Sequence, residues 1–266
     1  MEVLTYMGVV FTIIILSVGC VLLITMVYEA FQNNLVQHEF SFSDLPDSFH
    51  GTVLFFISDI HRRTISDEIT QRVKGKANLV IIGGDLAERG VSFKKIEKNL
   101  QKLAQIAPVY FVWGNNDYEV NVVNLEKLME RLGITILKNS AVTFTSKNGE
   151  KWSLLGVDEM GQERDRLDLA LENASASFKI LVSHYPNITD KFFPEHGIRL
   201  VLSGHTHGGQ IHILGYSPHK RGGVKKLANT TLLVSNGYGT TAIPLRRGAP
   251  AQCHLIELYH KSLPDK

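Results

Sequence analysis

Charge is absent from the first part of this chain: between Glu2 and Glu29 no Asp, Glu, Lys or Arg interrupts a run dominated by Val, Ile and Leu. A helix crossing the hydrocarbon core of a bilayer needs about 20 such residues. A cleaved secretory signal is the competing reading, but its basic leader and A-x-A-like cleavage site are both missing. Leu16-Ser17-Val18-Gly19-Cys20 makes a poor lipoprotein processing site, because the apolar run continues through Val27. Cysteine is nearly absent too. Cys20 and Cys253 lie near opposite ends, which excludes a disulfide framework and a thiolate-bound zinc site. Neither charge is in marked excess: 28 Lys and Arg against 26 Asp and Glu leave no electrostatic footprint for nucleic acid. No Lys or Arg precedes Arg62, so the basic residues that usually set membrane orientation are missing. The acidic flank of Glu29, Glu39, Asp44 and Asp47 leans toward a single-pass cell-membrane protein with an extracytoplasmic domain.

What is present is expected to divide into three parts: a transmembrane helix over 1–28, a polar connector over 29–52, and one folded domain over 53–266. Apolar runs at Val53–Ile57, Leu79–Ile82, Val109–Val112, Ile180–Val182 and Leu200–Leu202 read as buried strands. Further strands are expected at 134–137, 142–145, 152–156, 210–214, 232–235 and 252–258. Helical patterns fall between them at 66–74, 92–106, 122–132 and 165–172. In the second of these, Phe93, Ile96, Leu100 and Leu103 form one stripe, as in a helix covering a sheet.

Each of the five apolar runs ends in a short polar motif: Asp59-Ile60-His61, Gly83-Gly84-Asp85, Gly114-Asn115-Asn116-Asp117, Ser183-His184 and Gly204-His205-Thr206-His207. Strand ends on one edge of an α/β sheet are where such folds gather their ligands. The motifs offer only oxygen and imidazole donors, a set suited to manganese, iron, zinc or cobalt. Two cations about 3.5–4 Å apart clamp a phosphoryl group and need a bridging carboxylate. Asp85 is the natural bridge; Asp59, His61 and His207 complete one site, and Asn115, His184 and His205 the other.

Taken together and in this order, the motifs resemble those of the calcineurin-like metallophosphoesterases, D-x-H, G-D, G-N-H-D/E, a later H, and G-H-x-H. The resemblance runs from about Val53 to Leu258. It implies a four-layer α/β/β/α sandwich, a dinuclear centre with manganese favoured, and hydrolysis of phosphate esters by a metal-bound hydroxide. Gly208-Gly209-Gln210 and the closing segment 235–250 are similar to the membrane-anchored branch that includes UDP-2,3-diacylglucosamine pyrophosphatase-like proteins. A lipid-linked or nucleotide pyrophosphate or phosphodiester is the substrate this implies, with the bilayer as partner.

One letter departs from the family pattern. Asn116 stands where the resemblance expects the histidine that acts as general acid or stabilises the transition state. An amide cannot give up a proton near neutral pH. Substrates with weakly basic leaving groups, pyrophosphates before alkyl esters, are therefore expected, with Asn116 a hydrogen-bond donor to developing charge and His212 the alternative proton source. Arg62 and Arg246 are candidate substrate contacts, being guanidinium groups beside the first motif and on a late Gly/Pro-bounded loop. The basic run His219–Lys226 could meet anionic head groups. A catalytically weakened scaffold and a protein phosphatase are the readings from other functional classes.

Overall fold

The charge-free run forms one helix, α1 (Glu2–Ala30), in a computed structural model that describes residues 2–261. At 29 residues it is long and apolar enough to cross a membrane, and its side chains are exposed nearly to its end. It leads directly into a strand, β1 (Asn34–Phe42). The segment 29–52, expected to be a connector, thus carries the edge strand of a sheet. β1 runs parallel to β12 (Gln252–His260) through nine consecutive partners, Asn34 with Gln252 to Phe42 with His260.

β12 then pairs antiparallel with β2 (Thr52–Ile57), which continues in parallel through β3 (Leu79–Gly83), β4 (Val109–Val112) and β5 (Thr135–Ile136). A second six-stranded sheet holds β10 (Gly223–Lys226), β11 (Thr231–Val234), β9 (Ile198–Ser203), β8 (Phe178–Val182), β7 (Lys151–Gly156) and β6 (Ser140–Thr145), in that order. Its four inner strands are parallel. Strands buried on both faces need apolar residues at every position rather than at alternate ones. Leu79-Val80-Ile81-Ile82 and Val109-Tyr110-Phe111-Val112 meet that demand and are wholly buried.

The sheets pack face to face. Leu54, Phe56 and Ile81 from one meet Trp152, Leu154, Ile180 and Leu202 from the other in a shared core. The outer face of the first sheet, with Phe55, Ile57, Val80 and Phe111, is covered by α2 (Asp67–Val73), α3 (Phe93–Ala104) and α4 (Val122–Arg131). α3 buries Ile96, Leu100 and Leu103 and keeps Phe93 partly buried, as its stripe requires. The outer face of the second sheet is covered by α5 (Leu167–Glu172) and a 3-10 turn at Pro186–Lys191. The result is four layers, α/β/β/α. Parallel strands β2, β3 and β4 on one sheet and β8 and β9 on the other end at a common edge, and all five polar motifs lie there.

The expected strand at 210–214 is not formed. Ile211 makes only isolated bridges, and Ile213 and Tyr216 close a tight hairpin instead.

Candidate metal centre

The strand ends turn unusually sharply. Asp59, His61, Asp85, His205 and His207 all hold φ between 49 and 70°, a region that side-chain-bearing residues seldom enter. Backbone bonds fix the turns to one another: Asp59 N–H donates to Gly84 O at 3.0 Å, Ile60 N–H to Asp85 O at 2.8 Å, and Gly204 N–H to His184 O at 3.0 Å. Gly114 and Gly204 are required by space alone, because a Cβ at either would overlap the carboxylate of Asp85 or Asp59.

These turns gather the ligand atoms into two groups that share a carboxylate wall. His61 Nε2 is 3.1 Å from His207 Nε2, and His207 Nε2 is 3.4 Å from Asp59 Oδ1. On the other side, His205 Nδ1 is 3.2 Å from Asn115 Oδ1, and the His184 and His205 rings meet edge to face at 5.1 Å. Asp85 stands between them, with Oδ2 3.7 Å from His61 Nε2 and 3.2 Å from His184 Nε2. Asp59, His61 and His207 form one cluster able to hold a metal ion, and Asp59, Asp85 and His184 another.

The donor set fits divalent cations. His184 Nδ1 is engaged by Gly83 O at 2.9 Å, which turns its buried Nε2 toward Asp85 Oδ2, 3.2 Å away but not in a well-aligned hydrogen bond. A buried nitrogen so imperfectly paired, facing a carboxylate, is the state a cation resolves. Burial strongly favours the neutral forms of His205 and His207 and, with neighbouring charges from His184 on the first and from His61 and Arg246 on the second, lowers each to about 4. Each ring therefore keeps one unprotonated nitrogen at neutral pH, the form in which imidazole coordinates a metal. Burial resists ionisation of Asp85, but the positive fields of His184 and His61 and the Asn116 N–H outweigh it and hold the carboxyl below its ordinary value. The Asp85 field in turn lifts His184 despite its burial.

Three supporting residues are given no role by the sequence, although Asp117 closes the third motif. Glu88 Oε2 lies 2.9 Å from His61 Nδ1, the carboxylate–histidine arrangement that orients a metal-binding ring. Asp117 is buried and takes N–H bonds from Asp85, Gly114 and Ala87 at 2.8, 2.9 and 3.0 Å, tying the second and third motifs together. Tyr185 stacks on His205 with centroids 3.8 Å apart, its hydroxyl 3.4 Å from Asn115 Oδ1. The cues in the chain are position alone: Asp117 ends the third motif, Glu88 lies three residues after Asp85, and Tyr185 lies one after His184.

Other sequence candidates separate. Arg62 sits at the rim with an exposed side chain that pairs with Glu88 and donates to Arg89 O at 2.9 Å. Arg246 does not face solvent: it is fully buried, its guanidinium spent on the carbonyls of Asn236, Gly239, His207 and Ala249 and set 3.2 Å from His207 Nδ1. Buried guanidinium groups need such saturation, so its place is behind a ligand and not on substrate. His212 is likewise engaged, its Nε2 2.7 Å from Gly208 O. Asn116 accepts the side-chain N–H of Asn115, which leaves Asn115 Oδ1 facing His205, and its own N–H donates to Asp85 Oδ1 at 2.8 Å.

A four-layer sandwich with Asp and His ligands converging at its strand ends defines a metal-dependent phosphoester hydrolase. Residues 52–209 match the calcineurin-like phosphoesterase family, and the chain belongs to it. It is 42% identical over 229 residues to YpbG, an uncharacterized protein of Bacillus subtilis (strain 168), covering 85% of this chain and 88% of that one. It is 30% identical to a Danio rerio transmembrane protein with metallophosphoesterase domain, over 88% of this chain but only 60% of the zebrafish protein's length. It is 27% identical to phosphodiesterase YaeI of Escherichia coli (strain K12), over 67% of this chain and 68% of YaeI.

Proposed function

We propose that this protein is a membrane-anchored hydrolase of pyrophosphates or activated phosphodiesters that works with two divalent cations, manganese favoured. The observation that carries the reading is Asp85, whose Oδ2 lies within 3.7 Å of His61 and 3.2 Å of His184 and so faces both halves of the cluster. Asp59, His61, Asp85 and His207 would hold one cation, and Asp85, Asn115, His184 and His205 the other. When bound, such a pair supplies Lewis acidity to the phosphoryl group and lowers the pKa of water.

The chain's own residues do the rest. Glu88 and Arg246 fix the rings of His61 and His207, and Asn116 and Tyr185 fix the face that Asn115 presents. Arg62, exposed at the rim, is the proposed contact for a second anionic group of the substrate. Asn116 has no proton to give, which favours a phosphate leaving group over an alkoxide. The apolar α1 and the relative described as a transmembrane protein support the anchor, and the acidic flank of α1 supports an extracytoplasmic domain.

The full chain, purified with manganese, should hydrolyse a bis-aryl phosphate and a UDP-linked lipid pyrophosphate faster than an aryl monophosphate or a phosphopeptide. Inactivity on all four with no bound metal would contradict the reading and favour a scaffold. Protease added to intact cells should remove the catalytic domain; full protection would place it on the other side.

A further inference from the structure

We propose that the hairpin following the last metal motif is a second membrane contact, dipping into the surface of the bilayer that α1 crosses and holding the metal centre against it. The proposal rests on the membrane-anchored reading above and adds where the active site sits.

The hairpin is closed by reciprocal bonds between Ile213 and Tyr216, 2.9 Å each way, with Leu214 at φ 50° and Gly215 at φ 83° at its tip. Tight two-residue turns with both central residues left-handed favour Asn-Gly, because positive φ is free for Gly and tolerated by Asn but sterically costly for an apolar side chain. Leu214 instead occupies the first position and is fully exposed at 103%, flanked by Ile213 at 69% and Tyr216 at 81%. An apolar tip that opposes both backbone preference and solvation points to a surface that covers it.

The structure also says which surface. His212 N–H donates to Arg247 O and Arg247 N–H to Gln210 O, both at 2.9 Å, so the root of the hairpin lies beside residues 246–248. These are fastened to the end of the apolar helix: Arg246 N–H donates to Met26 O at 3.0 Å and Gly248 N–H to Glu29 Oε2 at 2.8 Å. Met26 is still inside the apolar run, and exposed Tyr28 and Phe31 follow it as an aromatic belt would at a lipid–water boundary. Gln210 ties the neighbouring loop to the same root through Thr241 O at 3.0 Å, and that loop presents Ile243, 49% exposed. Exposed His219, Lys220 and Arg221 follow the hairpin after Ser217 and Pro218, giving an apolar tip with a basic flank, the composition that seats in anionic lipid. A second copy of this chain would set basic flank against basic flank. The hairpin's root is also the site's wall, since Arg246 reaches His207 and His212 reaches Gly208 O. A phosphate on a membrane lipid is therefore the substrate class that would meet this centre.

The test uses the full chain carrying Leu214→Trp, reconstituted in nanodiscs of phosphatidylcholine and phosphatidylglycerol. Its fluorescence, taken as the difference from the parent with its buried Trp113 and Trp152, should be blue-shifted, quenched by phosphatidylcholine brominated on its acyl chains, and shielded from aqueous acrylamide. Free acrylamide quenching with no effect of bromine would overturn the proposal, as would shielding that appears only at two chains per disc. Hydrolysis of a soluble bis-aryl phosphate separates the two readings. An unquenched but active protein refutes the membrane contact alone, and an inactive but quenched one refutes the enzymatic reading alone.

Discussion

Left-handed backbone at Asp59, His61, Asp85, His205 and His207 costs on the order of 1–3 kcal/mol per residue. Five such residues in one cluster mean that the fold spends stability to bring donors together, and the neighbours that hold each donor become as necessary as the donors. Glu88→Gln tests this directly. An amide still fills the space beside His61 but orients the ring less strongly, so metal affinity should fall about 10–100-fold. Competition against a chelating dye reads the change, and an unaltered affinity would remove Glu88 from the account. Asn116 makes the opposite kind of claim, about an absent group. Asn116→His should accelerate cleavage of an alkyl phosphodiester by more than that of an aryl one, toward the 10²–10⁴-fold that a general acid typically contributes. Equal gains on both would mean that proton donation is not what the site lacks.

Among the elements, β12 carries an instructive burden. It sits between β1 and β2, and near its start His254 is buried beside Phe56, its Nδ1 3.0 Å from His38 Nε2 on β1. Burial, with the His38 charge adding to it, lowers His254 to about 3 from an ordinary 6.5. The folded state therefore holds this ring neutral, and its stability is complete above pH 6.5 and lost as pH falls from there toward 3. The slope contributed approaches about 1.4 kcal/mol per pH unit. Urea midpoints measured from pH 7 to pH 4 should decline less steeply in His254→Leu than in the parent; parallel declines would show that His254 does not govern this edge. The same region shows why the chain is only partly legible. β2, β3, β4, β8 and β9 are announced by apolar runs because both of their faces are covered. β1 is an edge strand with polar residues at many positions, and only its nine-residue match to the distant β12 makes it a strand. β10 is exposed throughout and reads as a basic cluster. The run 210–214 has the apolar content of a strand but, among the described residues, pairs only through isolated bridges, Ile211 with Arg247 and Gly248 and Ile213 with Tyr216. Its apolar residues serve a turn.

At the scale of the whole molecule, the candidate ligands are legible because five strand ends carry them in order, whereas the shell around them is not. Nothing near Arg246 in the chain says that its guanidinium will be buried behind His207, thirty-nine residues away. Nor does the apolar run announce that its last turn will be bonded to the same loop. Arg63 completes that link, stacking on Tyr238 at 3.8 Å and donating to Phe31 O at 2.7 Å and Tyr238 O at 2.6 Å. Helix and metal centre are thus joined through a few side chains. If Asp85 bridges two cations, counting the metal ions tests that role most directly. Elemental analysis of the full chain after equilibration with manganese and removal of excess should find about two ions per chain, falling below one in Asp85→Asn, because a neutral amide is a poor bridge. Two ions retained in that variant, or none in the parent, would contradict the account.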